Sequence, residues 1–204
     1  MKCTKKMVLG SASPRRRELL SQIGMEFSVM TSDCEELVTK TVPAEVVQEL
    51  SLMKAEDVFR KIKNSKEAVN ASEILVIGAD TIVALDGEIL GKPHSKEHAI
   101  SMLNHLQGKI HQVYTGICFV WEEKGERFIH TFFECTDVEV LPMTAEEIAY
   151  YVNLDTCMDK AGAYGIQNEF ASYVKGIKGD YNNVVGLPVG RLYQELKQLS
   201  LLII

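Results

Sequence analysis

Two arginines stand at the start of a predicted helix near the N-terminus, in the segment LGSASPRRRELL. The free amides of a first helical turn carry partial positive charge, so acidic side chains are favoured there and arginines are not. Small residues before a helix let those amides approach an anion, and guanidinium groups bind phosphate oxygens in pairs. The segment therefore predicts a polyphosphate site at Arg15 and Arg16, with an exposed basic turn as the alternative. Arg17 is predicted to be exposed.

Asp80 and Lys92 form a second candidate pair. Asp80 follows the apolar run ILVIGA, and a carboxylate at the end of a buried strand is costly unless it binds a cation or a proton. Lys92 is predicted to return to the same end, because both residues lie at similar distances from a hairpin turn at Asp86-Gly87. Such an acid and base can hold a metal ion and a phosphate together. A purely structural ion pair is the alternative.

Two adjacent glutamates, Glu35 and Glu36, follow the strand predicted after the first helix. Paired glutamates are usually surface charge. Only the presence of Asp80 elsewhere in the chain makes one of them a candidate metal ligand.

Lys54 and two histidines have weaker signals. Lys54 lies among apolar residues of a long amphipathic helix, where a lysine usually extends its ammonium group to water.

His94 and His98 have the helical spacing of a zinc pair, but no third ligand and no catalytic glutamate follow them. We expect both histidines to be exposed.

The predicted elements alternate between strands and helices without an internal repeat. Strands are predicted at KKMVLG, EFSVMT, EILVIGADTIVAL and EILGKP, with two long strands pairing across residues 122–126. Helices are predicted after Ser13, over about 43–64, after Ser95, after a Thr144–Glu147 capping box and from Pro188. This order predicts an α/β fold with a mixed sheet, flanking helices and two lobes around a central cleft, in a single domain over residues 1–204. The cleft between the lobes is the expected ligand site.

Composition narrows the function further. The 204 residues are 46% hydrophobic and 25% charged, which is typical of an ordinary globular protein. A net charge of −6 argues against a nucleic-acid polymer as partner, so any anionic ligand needs a local basic cluster.

Cysteine usage and the apolar segments predict the compartment. The five cysteines are odd in number and never in C-x-x-C spacing, so a disulfide framework is not expected and a reducing compartment is. Neither the short apolar run near the N-terminus nor the closing LSLLII has the length of a signal peptide core or a membrane span. We therefore expect a cytoplasmic protein with no membrane partner.

Five ordered motifs make the sequence resemble the Maf family of nucleoside triphosphate pyrophosphatases, whose fold is similar to that of inosine triphosphatase. The family patterns S-x-S-P-R-R-x-x-L-L, D-T-[IV]-V, G-K-P, D-K-A-G-[AG]-Y-x-I-Q and N-x-V-G-L-P appear here at residues 11–20, 80–83, 91–93, 159–167 and 183–188. The resemblance covers nearly the whole chain.

This resemblance implies hydrolysis between the α- and β-phosphates of a nucleoside triphosphate with a divalent cation, Mg²⁺ or Mn²⁺. Asp80 matches the proposed general base, and it remains open whether Asp80 is base or metal ligand. Glu36 matches the acidic metal position, with Glu35 beside it. The positions matching polar or phosphate-binding residues are Ser13, Arg15, Arg16, Lys54 and Lys92. Those matching positions linked to substrate choice are Arg15, Thr81 and Gln167.

The block DKAGAYGIQ resembles the members that act on dTTP and UTP. An amide such as that of Gln167 both donates and accepts hydrogen bonds, which suits the paired carbonyl and N–H of a thymine or uracil edge. Asn168 replaces a common glycine, and asparagine tolerates left-handed backbone angles. Two alternatives remain, a pyrophosphatase for modified nucleotides and a non-catalytic nucleotide-binding regulator of cell division. The family also implies a homodimer.

Overall fold

A computed structural model describes residues 2–65 and 71–203 of the chain. The strands are β1 Lys2–Cys3, β2 Lys6–Leu9, β3 Phe27–Val29, β4 Ile74–Leu85, β5 Glu88–Leu90, β6 Ile110–Glu123, β7 Glu126–Val140, β8 Val174–Lys178 and β9 Leu202–Ile203. The helices are α1 Pro14–Gln22, α2 Pro43–Asn64, α3 Lys96–Leu106, α4 Ala145–Asn153, α5 Tyr181–Val185 and α6 Val189–Gln198. Short 3₁₀ turns lie at Ala71–Glu73, Ala161–Ala163 and Glu169–Tyr173.

The main sheet has seven strands and mixed directions. Its order is β3-β2-β4-β6-β7-β8, with β5 also paired to β4, while β1 and β9 form a separate ribbon. The strand β2 runs parallel to β3 and β4, whereas β4, β5, β6, β7 and β8 pair antiparallel. The α/β fold with a mixed sheet and flanking helices is therefore confirmed.

One face of the sheet is covered by α2. Side chains alternate between the two faces of a strand, and Ile74, Val76 and Ile82 of β4 point to this side, where they pack against apolar residues of α2. The approach is close because two strand glycines face the helix. A Cβ atom on Gly78 would overlap the carbonyl oxygen of Ser51, and one on Gly116 would overlap that of Val47.

The opposite face carries two separate hydrophobic clusters. At one end, β4 residues such as Ile77 pack with α1 and α6, for example with Leu20 and Leu192. At the other end, Val83 packs with α3 and α4, for example with Leu103. These clusters are the cores of the two predicted lobes, and the cleft opens where they separate.

Most predicted boundaries agree with the structure. The hairpin turn has positive φ at Asp86 and Gly87, Ser95 accepts a hydrogen bond from the amide of His98, and Thr144 and Glu147 form the capping box. Ser13 differs: it is the N-cap residue of α1, but its side chain makes no capping hydrogen bond. In the described part of the chain, no helix combines the length and apolarity needed to cross a bilayer.

Candidate active site

A cleft of about 820 Å³ lies between the two clusters. The loop Gly10–Ser13 and the start of α1 line one side, and residues 159–161 and 164–168 line the other. The β4 residues Asp80 and Thr81 point to opposite faces of the sheet, and both line the cleft because β4 has no paired neighbour on one side between Ile77 and Val83. Residues 184–186 close one end. Segments from both ends of the chain therefore meet in a single site.

Asp80 lies on the face of the sheet that α2 covers, next to Lys54 of that helix. The ammonium group of Lys54 contacts Asp80 Oδ1 and lies 3.0 Å from Glu36 Oε1. The side chains of Asp80 and Lys54 are only 15% and 18% exposed, so this contact is largely removed from water. The glycine at 78 lets α2 sit close enough to bring Lys54 over the strand. Two carboxylates thus converge on one cationic position.

Lys92 and Glu36 line the cleft with Asp80, whereas Glu35 does not. Lys92 is exposed and lines the same cleft as Asp80, as the hairpin predicted. The alternative of an Asp80–Lys92 ion pair is wrong, because Asp80 pairs with Lys54 instead. Glu36 lines the cleft, whereas its neighbour Glu35 is exposed and is not among the described residues that form the cleft wall.

Arg15 points across the cleft to the segment that begins at Asp159. Its Nη1 atom donates to Asp159 Oδ2 at 3.0 Å, and Lys160 Nζ lies 2.7 Å from the other carboxylate oxygen. Burial raises the pKa of Asp159, but the hydrogen bonds from Lys160 and Arg15 outweigh it, so that pKa lies below its usual value. Arg15 and Lys160 together outweigh the charge of Asp159, so this part of the cleft is locally positive in an acidic protein.

Arg16 turns inward and is held by four hydrogen bonds. Its guanidinium donates to the carbonyl oxygens of Gly186 and Ala79, both at 2.8 Å, and to the hydroxyls of Ser11 and Thr81, both at 3.0 Å. Burial lowers the pKa of Arg16, and the nearby carboxylate of Asp80 opposes that effect. A guanidinium has about five N–H donors, so these contacts leave one. Arg16 therefore has a structural role and keeps one donor in the cleft, and its contact with a phosphate stays a prediction. Arg17 is exposed, as predicted.

The buried side chain of His111 contacts the segment 159–168 and helps to hold it in place. His111 Nε2 lies 2.7 Å from the hydroxyl of Tyr164, and burial lowers the pKa of His111 to about 4. The amide of Gly162, at φ +67, donates to the carbonyl of Gly91, which ties this segment to the loop that carries Lys92. The wall of the cleft is thus anchored to β6 and to the loop that follows β5.

Gln167 and Asn168 lie exposed on the same wall and line the cleft. The backbone of Asn168 has φ −113, so this position does not use the left-handed region that favours glycine. The replacement of glycine by Asn168 therefore adds no backbone strain, and tolerance of left-handed angles is not the reason for it.

Sequence reasoning did not select several residues that shape the site. Asp159 and Lys160 open a quoted motif, so their position in that motif was a usable signal. Ser11 also stood within a motif, but its role became visible only as an acceptor for Arg16. Thr115 of β6, whose hydroxyl lies 2.9 Å from that of Thr81, gave no signal, because a lone threonine in an apolar strand is unremarkable.

The two histidines at the start of α3 do not form a metal centre in the described residues. His94 and His98 contact each other through their Nδ1 atoms at 3.1 Å. His94 is exposed as expected, whereas His98 is only partly exposed. Within the described ranges, no group of three or more histidine, cysteine or acidic residues is arranged to hold a metal ion.

Comparison with known proteins agrees with the motifs. The model of the Maf-like protein family matches residues 6–199. The chain is 53% identical over 199 residues to a dTTP/UTP pyrophosphatase of Agathobacter rectalis, covering 95% of this chain and 97% of the relative. It is 45% identical over 196 residues to a dTTP/UTP pyrophosphatase of Lachnoclostridium phytofermentans, covering 96% and 95% of the two chains. A protein of the same name from Bacillus cereus is 43% identical over 198 residues, with 97% of each chain covered. The chain therefore belongs to the Maf family.

Proposed function

We propose that this chain hydrolyses dTTP and UTP to the nucleoside monophosphate and pyrophosphate in the cleft. One observation carries the proposal: the carboxylate of Asp80 lies at the floor of a cleft that is also lined by Arg15, Lys54, Lys92 and Lys160. A base beside several cations suits hydrolysis of a polyanion. The names of the relatives, at 43–53% identity over nearly full length, support pyrimidine triphosphates as substrates.

The reaction would be an in-line attack by water on the α-phosphorus. The new bond joins the water oxygen to that phosphorus, the bond to the oxygen bridging the α- and β-phosphates breaks, and pyrophosphate leaves. Asp80 would accept the proton of the attacking water or hold the cation, and these remain alternatives. Arg15, Lys54 and Lys92 would stabilise negative charge on the departing pyrophosphate.

A divalent cation, Mg²⁺ or Mn²⁺, fits the carboxylates that surround Lys54. Asp80 Oδ1 and Glu36 Oε1 both contact one ammonium nitrogen, so their oxygens already converge on a position of positive charge. Two carboxylates are a usual protein contribution for Mg²⁺, which takes its remaining ligands from water and substrate phosphates. Glu36 would hold the ion, together with Asp80 where Asp80 is not the base, and Glu35 is not preferred because it does not line the cleft. When bound, the cation would neutralise phosphate charge and make its bound water more acidic.

The pyrimidine preference rests on Gln167. Its side chain is exposed at the cleft wall, where its amide can both donate and accept. Those two functions match the adjacent N–H and carbonyl of a uracil or thymine edge. Discrimination is strong when the wrong base leaves such groups unpaired.

The test is pyrophosphate release from a panel of dTTP, UTP, CTP, GTP and modified purine triphosphates with Mg²⁺ or Mn²⁺. We expect dTTP and UTP to have the highest kcat/KM. A preference for modified purines would support the alternative of a pyrophosphatase for such nucleotides. Binding without turnover would support a non-catalytic regulator.

Asp80→Asn gives the panel its catalytic control. The change keeps the shape of the side chain but removes its charge, so turnover should fall by at least about 100-fold. Asp137→Asn is the matched control, because Asp137 is also a partly buried strand carboxylate but lies outside the cleft. Turnover by Asp80→Asn close to that of Asp137→Asn would contradict the mechanism.

The homodimer and the cytoplasmic location complete the proposal. Ile129 and Phe133 are exposed on one face of the part of β7 that precedes its pairing with β8, and they offer apolar surface for a second copy. Light scattering on the purified protein would give its mass in solution.

All five cysteines are free thiols, which supports a reducing compartment such as the cytoplasm.

A further inference from the structure

Two threonines interrupt the apolar face of the sheet at the boundary between the two hydrophobic clusters. On β4, Thr81 lies between Ala79 of one cluster and Val83 of the other. On β6, Thr115 lies directly opposite Thr81 and likewise separates the two clusters. Thr115 is fully buried, whereas Thr81 lines the cleft.

The hydrogen bonds of these hydroxyls have a determined direction. Arg16 can only donate, so Thr81 Oγ1 accepts from it at 3.0 Å. A carbonyl can only accept, so Thr115 Oγ1 donates its single proton to the oxygen of Asn183 at 3.0 Å. The 2.9 Å contact between the two hydroxyls is then a hydrogen bond only if Thr81 donates to Thr115. This is the one arrangement in which all three contacts are hydrogen bonds.

We propose that Thr115 is a positioning residue for substrate choice, because it takes the proton of the Thr81 hydroxyl and leaves Thr81 only an acceptor lone pair for the base in the cleft. Thr115 does not line the cleft and acts through Thr81. Arg16 reinforces the direction, since a hydroxyl that accepts from a cation becomes a better donor on its other side.

The consequence is a preference for a base that offers a donor to Thr81. Uracil and thymine carry an N–H at N3, whereas cytosine has an unprotonated acceptor nitrogen there. A hydroxyl that can only accept would form a hydrogen bond with the N3–H of uracil or thymine. In cytosine it would face an acceptor nitrogen, and no hydrogen bond would form. This inference rests on the proposed function and adds Thr115 behind Thr81, which already matches a position linked to substrate choice. The single N3–H then goes to Thr81, and the NH2 group of Gln167 donates to the neighbouring carbonyl.

The test compares kcat/KM for UTP and CTP in Thr115→Val. The isosteric valine cannot accept the proton of Thr81, which then turns toward the cleft and makes Thr81 a donor. We expect the UTP-to-CTP ratio to fall at least about tenfold. Thr115→Ser keeps the hydroxyl and should restore the ratio.

Thr136→Val is the matched control. Thr136 is equally buried and hydrogen-bonds Asn183 Nδ2 and the carbonyl of Asp180, but it does not contact Thr81. Removing the Thr136 hydroxyl should lower the free energy of unfolding without changing the UTP-to-CTP ratio of kcat/KM. An unchanged ratio in folded Thr115→Val, or an equal change in Thr136→Val, would overturn the inference.

A double-mutant cycle with Thr81→Val completes the test. Thr81→Val alone should also lower the ratio, and Thr115→Val should then have no further effect on it. If Thr115→Val does not fold, a wild-type ratio in Thr81→Val overturns the inference by itself. The proposed function fails separately, if the wild-type protein releases no pyrophosphate from dTTP or UTP.

Discussion

Three consecutive arginines at the start of α1 have three different environments. Arg15 spans the cleft to Asp159, Arg16 is half-buried among carbonyl and hydroxyl oxygens, and Arg17 is exposed. Successive helical residues point about 100° apart, so neighbours in sequence need not share a function. The unfavourable placement at a helix N-terminus is offset at Arg16 by the protein's own oxygens and at Arg15 by a carboxylate.

Arginine-to-alanine changes should separate these roles. The helix dipole alone predicts no loss of stability from either change, whereas the hydrogen bonds of Arg16 predict a loss. Arg16→Ala leaves buried acceptors unpaired and should lower the free energy of unfolding by about 2–4 kcal/mol. Arg15→Ala removes a contact to a 60% exposed carboxylate and should cost about 0–1 kcal/mol while weakening turnover. Urea unfolding measures both.

Arg17→Ala is the control for these changes, because it removes an exposed guanidinium from the same helical turn. An Arg16→Ala protein as stable as Arg17→Ala would show that the buried network contributes nothing to folding.

Lys54 should compete with the divalent cation. Its ammonium group contacts both carboxylates that would hold the ion, so Lys54→Met frees them. We expect Mn²⁺ binding without nucleotide to tighten at least about tenfold, equivalent to about 1.4 kcal/mol, as measured by calorimetry. Lys61→Met is the control, since Lys61 lies on the same helix and pairs with Asp33 and Asp57 outside the cleft. Equal or weaker Mn²⁺ binding by Lys54→Met would contradict the shared position.

At the scale of elements, the distance between α2 and the sheet sets the geometry of the site. Gly78→Ala would force the helix away from β4, because the new Cβ overlaps the carbonyl of Ser51. We expect a loss of about 1–3 kcal/mol in unfolding free energy, together with lower turnover as Lys54 moves from Asp80. Urea unfolding and pyrophosphate release measure the two effects.

Gly176→Ala provides the comparison for Gly78→Ala. Gly176 lies in β8, and a Cβ atom there would meet nothing within 4 Å. This variant should keep the stability and turnover of the wild type. Equal behaviour of the two alanine variants would mean that the close approach of α2 is not required.

At the scale of the whole molecule, buried His111 links stability to pH. Its pKa is about 4 in the folded protein against an ordinary 6.5, because burial favours the neutral ring. Between pH 4 and pH 6.5 the unfolded chain binds more protons at this residue than the folded protein does, so the free energy of unfolding rises with pH. The stability that the neutral His111 contributes is therefore fully present above pH 6.5 and is lost as the pH falls toward 4. The change in unfolding free energy over this range is about 3 kcal/mol, because a difference of one pKa unit corresponds to about 1.4 kcal/mol.

His111→Phe should remove this part of the pH dependence. The change costs stability at every pH, since Tyr164 loses its partner, but the tyrosine does not titrate in this range. The difference in unfolding free energy between wild type and variant should therefore shrink by about 2 kcal/mol from pH 7.5 to pH 5. A difference that stays constant would show that His111 is not held neutral by burial.

The sequence by itself determined the elements and the membership of the site. Alternating and helical periodicity, the Asp86-Gly87 turn and the Thr144 capping box are local signals, and the strands and helices they predict are present. The motifs also named residues that line one cleft, among them Asp80, Lys92 and Gln167. Local structure is encoded locally because it depends on neighbours within a few residues.

Only the tertiary structure decided which partners those residues have. Arg15 and Asp159 are 144 positions apart, and Arg16 meets Gly186 across 170 positions. Asp80 pairs with Lys54 rather than Lys92 because Gly78 and Gly116 admit α2 closely, and no local pattern encodes that approach. Hydrogen bonds depend on distances of a few tenths of an ångström between distant segments. Such distances are set by the packing of the whole chain, so they cannot be deduced from spacing along it.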